Sequence, residues 1–273
     1  MKKITLPKLA VYATVTIVTF FTMFPFYIMI VMGTHTTETV QQKLVLLPGS
    51  ATLANLAVIF ASQFALFYWN SFFVAVLSTA GTVAVSALAG YGFAKYEFKG
   101  KKTLFFLLIA TLMIPGQLGL VGFMVQMRYM HLFNNLWALI LPSFANAFSV
   151  YWMATYIRPG VPGEIIESGR IDGCGELKIF IRLAFPLMRP AIITIMLLSF
   201  LGSWNNYFGP LVMITSEKKF TIPLGVRLLG NLFKLNYAAQ ILALTLAILP
   251  IVVMFAFFSQ HLIAGLVSGS VKE

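Results

Sequence analysis

Long apolar runs without charged residues dominate the hydrophobic pattern of this chain. Six such runs contain no Asp, Glu, Lys or Arg, and each is close to the roughly 20 residues that a helix needs to cross a bilayer. Backbone amides in hydrocarbon must bond within their own segment, so each run is predicted to be a transmembrane helix. The predicted fold class is all-α, a polytopic membrane protein. The runs are residues 9–31, 72–94, 104–126, 137–157, 191–214 and 239–264.

The composition supports a membrane protein. Of the 273 residues, 59% are hydrophobic and 10% are charged, and the mean hydropathy is +0.89. A soluble domain carries about 25% charged residues. The net charge of +11 is spread over the loops and forms no basic stripe interleaved with aromatic residues. We therefore assign the positive charge to orientation in the bilayer, with membrane lipid as a partner and no nucleic acid.

The distribution of basic residues predicts the orientation of the chain. Residues 44–94 carry no charge, so hydropathy alone would also permit a span near 51–67. With six spans, thirteen of the 19 basic residues lie on one side, which the positive-inside rule identifies as the cytosol. We therefore expect residues 51–68 to form an interfacial helix on the outer face, an uncleaved first span, and both termini in the cytosol.

The loop at residues 158–190 is the most charged part of the chain. It must project into water, where a soluble partner could push on it. Pro162-Gly163 stops the preceding element and Asp172-Gly173 is a turn signal, so we predict two short helices joined at Gly173. Four of the eight acidic residues lie here: Glu164, Glu167, Asp172 and Glu176. Four apolar residues are predicted to share one face of the second helix: Leu177, Phe180, Ile181 and Ala184.

The spacing within this loop resembles the EAA loop of ATP-binding-cassette (ABC) importer permeases. That pattern is Glu-Ala-Ala, three residues, Gly, nine residues and Ile-x-Leu-Pro. Here it reads Glu167-Ser168-Gly169, then Gly173, then Leu183-Ala184-Phe185-Pro186. Ser168 and Gly169 replace the two alanines, and Leu183 and Phe185 are apolar replacements. Further similarities to the carbohydrate-uptake branch lie at Arg170-Ile171-Asp172-Gly173, Pro186 to Pro190, Asn70-Ser71, Gly90 to Ala94, Met113-Ile114-Pro115, Ser203-Trp204-Asn205, and Gly265 with Gly269.

The resemblance implies a fold and a function. The fold would be the type I ABC importer permease fold, one transmembrane domain over residues 1–273 with six spans and a cytosolic coupling helix. The function would be the transmembrane subunit of an ATP-driven importer for carbohydrate, with a di- or oligosaccharide as the cargo class, in the cytoplasmic (inner) membrane of a bacterium. The implied partners are a second permease subunit, two cytosolic ATPase subunits that hold ATP and Mg, and an extracytoplasmic sugar-binding protein.

The resemblance also assigns roles within the loop. It implies that Glu167 makes a polar contact with the ATPase and that Gly173, after Asp172, makes the bend. Ser168 and Gly169 would pack closely on the ATPase wall. The tail at residues 269–273 is similar to family tails that also reach the ATPase pair.

The sequence contains no recognisable catalytic, metal-binding or nucleotide-binding motif. We therefore predict no catalytic residue, no metal site and no cofactor on this chain. Cys174 is the single cysteine, and the three histidines lack metal-ligand spacing. Gly100-Lys101-Lys102-Thr103 fails as a phosphate loop, because residue 95 is Lys rather than Gly and residue 102 is neither Ser nor Thr. The chain is predicted not to be an enzyme, with ATP hydrolysis on a separate ATPase chain.

Polar side chains on the fourth and fifth spans are candidates for the substrate path. Sugars require hydroxyl and amide partners in a mostly apolar passage. Ser199, Ser203 and Asn206 fall at i, i+4 and i+7, so they share one helix face. The alternative is that these groups bond to neighbouring helices. The candidates are Asn146, Ser149, Ser199, Ser203, Trp204, Asn205, Asn206 and Tyr207.

Other functions stay open from the sequence. An importer for glycerol-phosphate or another small solute is the nearest alternative, although an anionic cargo would favour a basic residue in the passage and the spans contain none. A secondary transporter would run on an ion gradient without an ATPase, and such proteins often carry intramembrane charges. A membrane enzyme would need a catalytic cluster.

Overall fold

The computed structural model describes residues 6–226 and 236–268 of the chain, and every regular element within these ranges is helical. The all-α prediction is therefore confirmed. The first elements are α1 (Leu6–Met32), α2 (Thr37–Gln42), α3 (Thr52–Ala61), α4 (Phe64–Lys95), α5 (Lys101–Thr111), α6 (Leu120–Tyr129) and α7 (Trp137–Ile140). The remaining elements are α8 (Ala147–Gly160), α9 (Gly163–Ile171), α10 (Glu176–Ile179), α11 (Phe185–Leu187), α12 (Arg189–Trp204), α13 (Phe208–Met213) and α14 (Tyr237–Ser268).

Three of the described helices are long and apolar enough to cross a membrane unaided. They are Lys8–Met32, Phe64–Lys95 and Tyr237–Phe258. Two further pairs of helices pass the same test but are bent, at 92° and 80°, which brings the number to five if each pair counts as one span. A membrane protein with several spans is thus supported, whereas the count of six stays a prediction.

The third predicted span, 104–126, is bent sharply rather than continuous. Lys101–Thr111 and Gly116–Tyr129 meet at 92°. The break contains Pro115, which lacks a backbone N–H and also disfavours helical geometry in the residue before it. A kink at a proline is compatible with the predicted span, but the sequence did not predict the size of this bend.

The fourth and fifth predicted spans are also interrupted, in each case at an asparagine. Asn146 has an extended backbone and its Oδ1 accepts a hydrogen bond from the amide of Ser149, 2.8 Å away, at the start of α8. Asn206 Oδ1 accepts from the amide of Gly209, at 3.0 Å, at the start of α13. An asparagine side chain can take the place of a helical carbonyl, which is why an apolar run containing one need not stay helical throughout.

The predicted interfacial helix at 51–68 was wrong in its bounds. A helix does form there, but α3 stops at Ala61 and α4 begins at Phe64, eight residues before the predicted span. Ser62 makes the break, because its hydroxyl donates to the carbonyl of Ile59 at 2.6 Å and accepts from the amide of Phe64 at 3.2 Å. The 32 residues of α4 extend for about 48 Å, longer than the roughly 30 Å of hydrocarbon.

The chain divides into two compact units, of which the first contains residues 1–65 and 225–249. Within it, the buried amide of Asn55 donates to the carbonyls of Gly33 and His35, both at 2.9 Å. Thr37 donates to Asn236 Oδ1 at 2.9 Å. These bonds fix the turn after α1 and the start of α14. The prediction of one domain over residues 1–273 stays a prediction.

The second unit contains residues 66–224 and 250–273, and the candidate sites lie in it. Its largest core packs α4, α8, α12 and the segment between α9 and α11 together. At the crossing of α4 and α8, a Cβ on Gly90 would lie 2.5 Å from Met153 Cβ, so only glycine permits this approach. The buried members of the core include Ala87, Tyr91, Met153, Ile157, Ile166, Ile179, Ala184, Met188 and Ile195.

Candidate functional site

The charged loop folds into an elbow, which we define as residues 163–187. It begins with α9, turns through residues 172–175 and continues through α10 to α11. Gly173 has a φ of +72°, a conformation that favours glycine, and the amide of Cys174 donates to the carbonyl of Gly169 at 2.9 Å. The turn therefore lies where the sequence placed it, at Gly173.

The elbow exposes four of its five predicted coupling residues. Glu167, Ser168, Asp172 and Gly173 are exposed, and their contact with an ATPase stays a prediction. Gly169 is buried instead. A Cβ on Gly169 would lie 2.8 Å from Leu183 Cδ1, so the residue must be small for a contact within this chain. The expectation that Gly169 packs on a partner's wall was wrong for this reason.

The predicted apolar face of the second helix is split between the core and the surface. Phe180 and Ala184 are buried, whereas Leu177 and Ile181 are 67% and 55% exposed. Residues 180–184 form a π-helical turn, which changes the angular spacing of the side chains and accounts for the wrong prediction.

Three large apolar side chains of the elbow are more than half exposed, and Ile171 is the most exposed of them at 85%. The other two, Leu177 and Ile181, form an apolar patch in a shallow concavity of about 510 Å³ with charged side chains at its rim. Apolar surface rimmed by charge is typical of a protein-binding site. The concavity is lined by Gly175, Glu176, Leu177, Lys178, Ile181 and Arg182.

A cluster of three polar side chains, which we call the clasp, holds the elbow to the end of α4. Tyr96 donates its phenolic hydrogen to Glu176 Oε2, and Arg170 Nε donates to Glu176 Oε1 at 2.7 Å. The Arg170 guanidinium lies 5.9 Å from the centroid of the Tyr96 ring. The sequence analysis missed the clasp, because 80 residues separate Tyr96 from Glu176 and no local pattern connects them.

The clasp changes the ionisation of its members. Desolvation, followed by the hydrogen bond to Glu176, raises the pKa of Tyr96 to about 12. Hydrogen bonds from Arg170 and then from Tyr96 lower the pKa of the Glu176 carboxyl. At neutral pH the clasp is therefore a phenol and a guanidinium that share one carboxylate.

A polar cavity of about 260 Å³ lies among α4, the segment from α7 to α8, and α12. Five of the eight predicted substrate-path residues line it, and the complete lining comes from three regions of the sequence. Hydroxyl and amide groups provide its polar surface, and none of its lining residues is charged. The lining is Ser78, Thr82, Leu139, Ser143, Asn146, Phe148, Ser149, Leu198, Ser199, Gly202, Ser203 and Asn206.

Three of the predicted substrate-path residues do not line this cavity. Trp204 is buried and its ring stacks on Phe200, with centroids 5.7 Å apart. Asn205 is exposed, and its amide donates to the carbonyl of Leu201 at 3.0 Å. Tyr207 makes an edge contact with a neighbouring aromatic ring. Trp204 is the last residue of α12, so Asn205 and Tyr207 follow the end of the helix.

The sequence analysis missed the contribution of α4 to the cavity. Ser78 is 2% exposed, and its hydroxyl lacks a hydrogen-bond partner in the described part of the chain. Thr82 donates to the carbonyl of Ser143 at 2.8 Å. The spacing of i and i+4 between Ser78 and Thr82 is the signal that could have identified them on one face of the second span.

The two asparagines of the cavity also have a structural role. As described above, each uses its side-chain oxygen to cap a helix that begins beside the cavity. These bonds are local, each to an amide three residues further along the chain, so they differ from the bonds to neighbouring helices that the sequence analysis set beside the substrate role. Both residues keep donor groups on the side-chain nitrogen, which the caps do not use.

Comparison with known proteins identifies the family. Residues 82–267 match the family described as the binding-protein-dependent transport system inner membrane component. The chain is 33% identical to the arabinooligosaccharides transport system permease protein of Halalkalibacterium halodurans, with 100% of both proteins covered. It is 31% identical to the lactose transport system permease protein of Rhizobium radiobacter, with 98% of this chain and 97% of the relative covered.

A solved structure shows the same fold. It is a chain of a bacterial ABC transporter involved in the import of the acidic polysaccharide alginate, with a TM-score of 0.80, 23% identity, and 92% of this chain and 95% of that chain covered. This likeness shows that the chain has the fold of an ABC transporter chain. This chain belongs to the family of binding-protein-dependent transport system inner membrane components, and it is a multi-pass membrane permease.

Proposed function

We propose that this chain is a transmembrane subunit of an ATP-driven importer whose cargo is a neutral di- or oligosaccharide. The observation that carries the proposal is the cavity, where eight hydroxyl or amide side chains and no charged side chain line the passage among the described residues. Sites for uncharged polar ligands combine apolar walls with a few such groups. Two full-length relatives are named for the transport of arabinooligosaccharides and of lactose, which supports the same cargo class.

A second permease subunit would complete the passage. The cavity of about 260 Å³ is smaller than the roughly 300–1,000 Å³ of typical ligand sites. The described residues enclose it only in part, so a facing wall from another subunit would enlarge and close it. An extracytoplasmic sugar-binding protein would deliver the cargo to the outer end of this passage.

The energy would enter through the elbow. Its apolar patch and the exposed Glu167 would contact one of two cytosolic ATPase subunits, and those subunits would bind the ATP and Mg. The elbow and both termini would then lie in the cytosol. The tail at 269–273 lies outside the described residues, so its part in this contact is proposed from the sequence alone.

Transport by the complete complex tests the proposal. The chain is co-expressed with its partner permease, ATPase and binding protein, and the purified complex is reconstituted into proteoliposomes with ATP enclosed on the ATPase side. Uptake is then measured for labelled arabino-oligosaccharides, lactose and an anionic sugar. We expect saturable uptake of a neutral sugar that disappears in a matched complex whose ATPase cannot hydrolyse ATP. Uptake of only the anionic sugar would refute the cargo assignment, and uptake driven by an ion gradient without the ATPase would refute the mechanism.

A further inference from the structure

We propose that Tyr96 and Glu176 are positioning residues that lock the elbow to α4, so that movement of the elbow reaches two walls of the cavity rather than one. This inference rests on the proposed function of the elbow as the point of energy input. It assigns a role to the clasp that neither the resemblance to ABC permeases nor the cavity accounts for.

The first link between the elbow and the cavity is covalent. The helical segment Glu176–Leu187 continues into α12 through a bend of 80° at Met188, which is fully buried. Ser199 and Ser203 on α12 line the cavity. A displacement of the elbow therefore reaches the α12 wall through a packed corner of the chain.

The second link runs through α4, which is not continuous with the elbow. Ser78 and Thr82 lie on this helix, and Tyr96 follows its last residue, with its amide still donating to the carbonyl of Gly92 at 3.2 Å. From Thr82 to Tyr96 the helix rises about 21 Å. No proline interrupts α4, so it can transmit a displacement from its end to the cavity as a rigid rod.

Apolar contact alone does not fix the elbow at one position along α4. Beneath the clasp, the ring of Tyr91 lies 5.2 Å from the ring of Phe180 and 5.7 Å from the ring of Tyr96. Hydrophobic contact is not directional, so such rings tolerate small lateral displacements. Hydrogen bonds have narrow limits of distance and angle, and those to a charged carboxylate are the stronger kind.

The clasp supplies this directional contact. Its carboxylate belongs to α10 and accepts one hydrogen bond from α9, through Arg170, and one from the end of α4, through Tyr96. Arg170 therefore connects α9 to α10 within the elbow. Tyr96 is the side chain whose hydrogen bond joins these two helices to α4. Removing the phenolic oxygen would leave the apolar contacts in place and release the α4 wall.

The variant Tyr96→Phe tests the proposal in the complete reconstituted complex. We expect normal assembly and normal basal ATPase activity, with at least a threefold drop in sugar molecules transported per ATP hydrolysed. Tyr156→Phe is the matched control, because Tyr156 is a half-buried tyrosine on α8 outside the clasp, and it should leave the ratio unchanged. An unchanged ratio in Tyr96→Phe would overturn the proposal.

A second measurement separates a positioning role from general weakening of the fold. In a Cys174→Ser background, single reporters Ser78→Cys and Ser199→Cys are labelled with a thiol reagent, with and without trapped ATP. We expect both reporters to respond to ATP in the parent, and only the α12 reporter to respond once Tyr96→Phe is added. Equal responses of both reporters in the Tyr96→Phe background would overturn the proposal.

The two proposals fail in distinguishable ways. If the parent complex transports no neutral sugar, the proposed cargo is wrong, but the thiol reporters still show whether the clasp links α4 to the elbow. If the parent complex transports sugar and Tyr96→Phe behaves like Tyr156→Phe in both measurements, only the role of the clasp is wrong.

Discussion

Replacing one glycine of α4 with alanine should wedge apart two helices that line the cavity. A Cβ at Gly90 would lie 2.5 Å from Met153 Cβ and 2.9 Å from the backbone nitrogen of Ala154. Gly92 lies two residues further along the same helix, and a Cβ there would meet no atom within 4 Å. Gly90→Ala and Gly92→Ala therefore add the same methyl group to the same helix, one into a contact and one into open space.

The two variants differ by the strain at the crossing. Alanine in a helix is favoured over glycine by about 0.5–1 kcal/mol, a gain that both variants share. Ordinary carbon contacts are about 3.5–4.0 Å, so at position 90 the backbone of α8 must retreat by roughly 1 Å. Overpacking of this kind costs about 1–3 kcal/mol, and a backbone cannot rotate aside as a side chain can. Gly90→Ala should thus be the less stable variant by about 2 kcal/mol.

Thermal unfolding of the purified complex measures this difference. We expect Gly92→Ala to match or slightly exceed the parent and Gly90→Ala to unfold roughly 5 °C below Gly92→Ala. Gly90→Ala should also transport poorly, because α4 and α8 both contribute to the cavity lining. If Gly90→Ala is as stable as Gly92→Ala, the close crossing of α4 and α8 is not present in the protein and the reasoning fails.

Three further predictions concern the elbow and the cavity. Glu167→Lys should insert and assemble but lose sugar uptake, whereas Glu164→Lys, also on α9, should keep it; uptake by Glu167→Lys at the parent rate would contradict its coupling role. Ser199→Ala should raise the KM for sugar roughly two- to tenfold through the loss of one hydrogen bond, and Asn205→Ala should leave it unchanged; the reverse order would place the passage elsewhere. Because the pKa of Glu176 is lowered from 4.5, the clasp should be intact between about pH 6 and 8, and its stabilisation should be lost only as the pH falls through that lowered pKa. The ratio of sugar transported to ATP hydrolysed should therefore be lower in Tyr96→Phe than in the parent throughout this pH range. A difference that appeared at only one end of the range would contradict that assignment.

The sequence predicted helices well and their interruptions poorly. A helix over a run such as 239–264 can be predicted without knowing its tertiary contacts, because a segment in hydrocarbon must satisfy its own backbone amides. The breaks at Ser62, Asn146 and Asn206 depend on where one polar side chain directs a single hydrogen bond, and hydropathy does not record this. The uncharged stretch at residues 44–94 concealed the start of α4 for the same reason.

In the candidate sites, too, the features set by local sequence were predictable and those set by tertiary contacts were not. The turn at Gly173 was predictable, because the local sequence sets both its glycine and its flanking helices. The burial of Gly169 and the exposure of Ile181 were not, because they depend on how α9 meets the π-helical turn. The clasp of Tyr96 with Glu176 and the contribution of Ser78 to the cavity require tertiary contacts between distant segments, which a single sequence does not specify.

The interruption at Asn146 has a consequence for how the protein is made. The 14 residues of α8 rise only about 21 Å, short of the roughly 30 Å of hydrocarbon, and the helical turns before it are shorter still. Neither piece can partition from the translocon into lipid as an independent span. Biogenesis of this region therefore requires the segment from Trp137 to Gly160 to be integrated jointly, with earlier helices already present to shelter the break, so its insertion should depend on the order in which the ribosome delivers its neighbours.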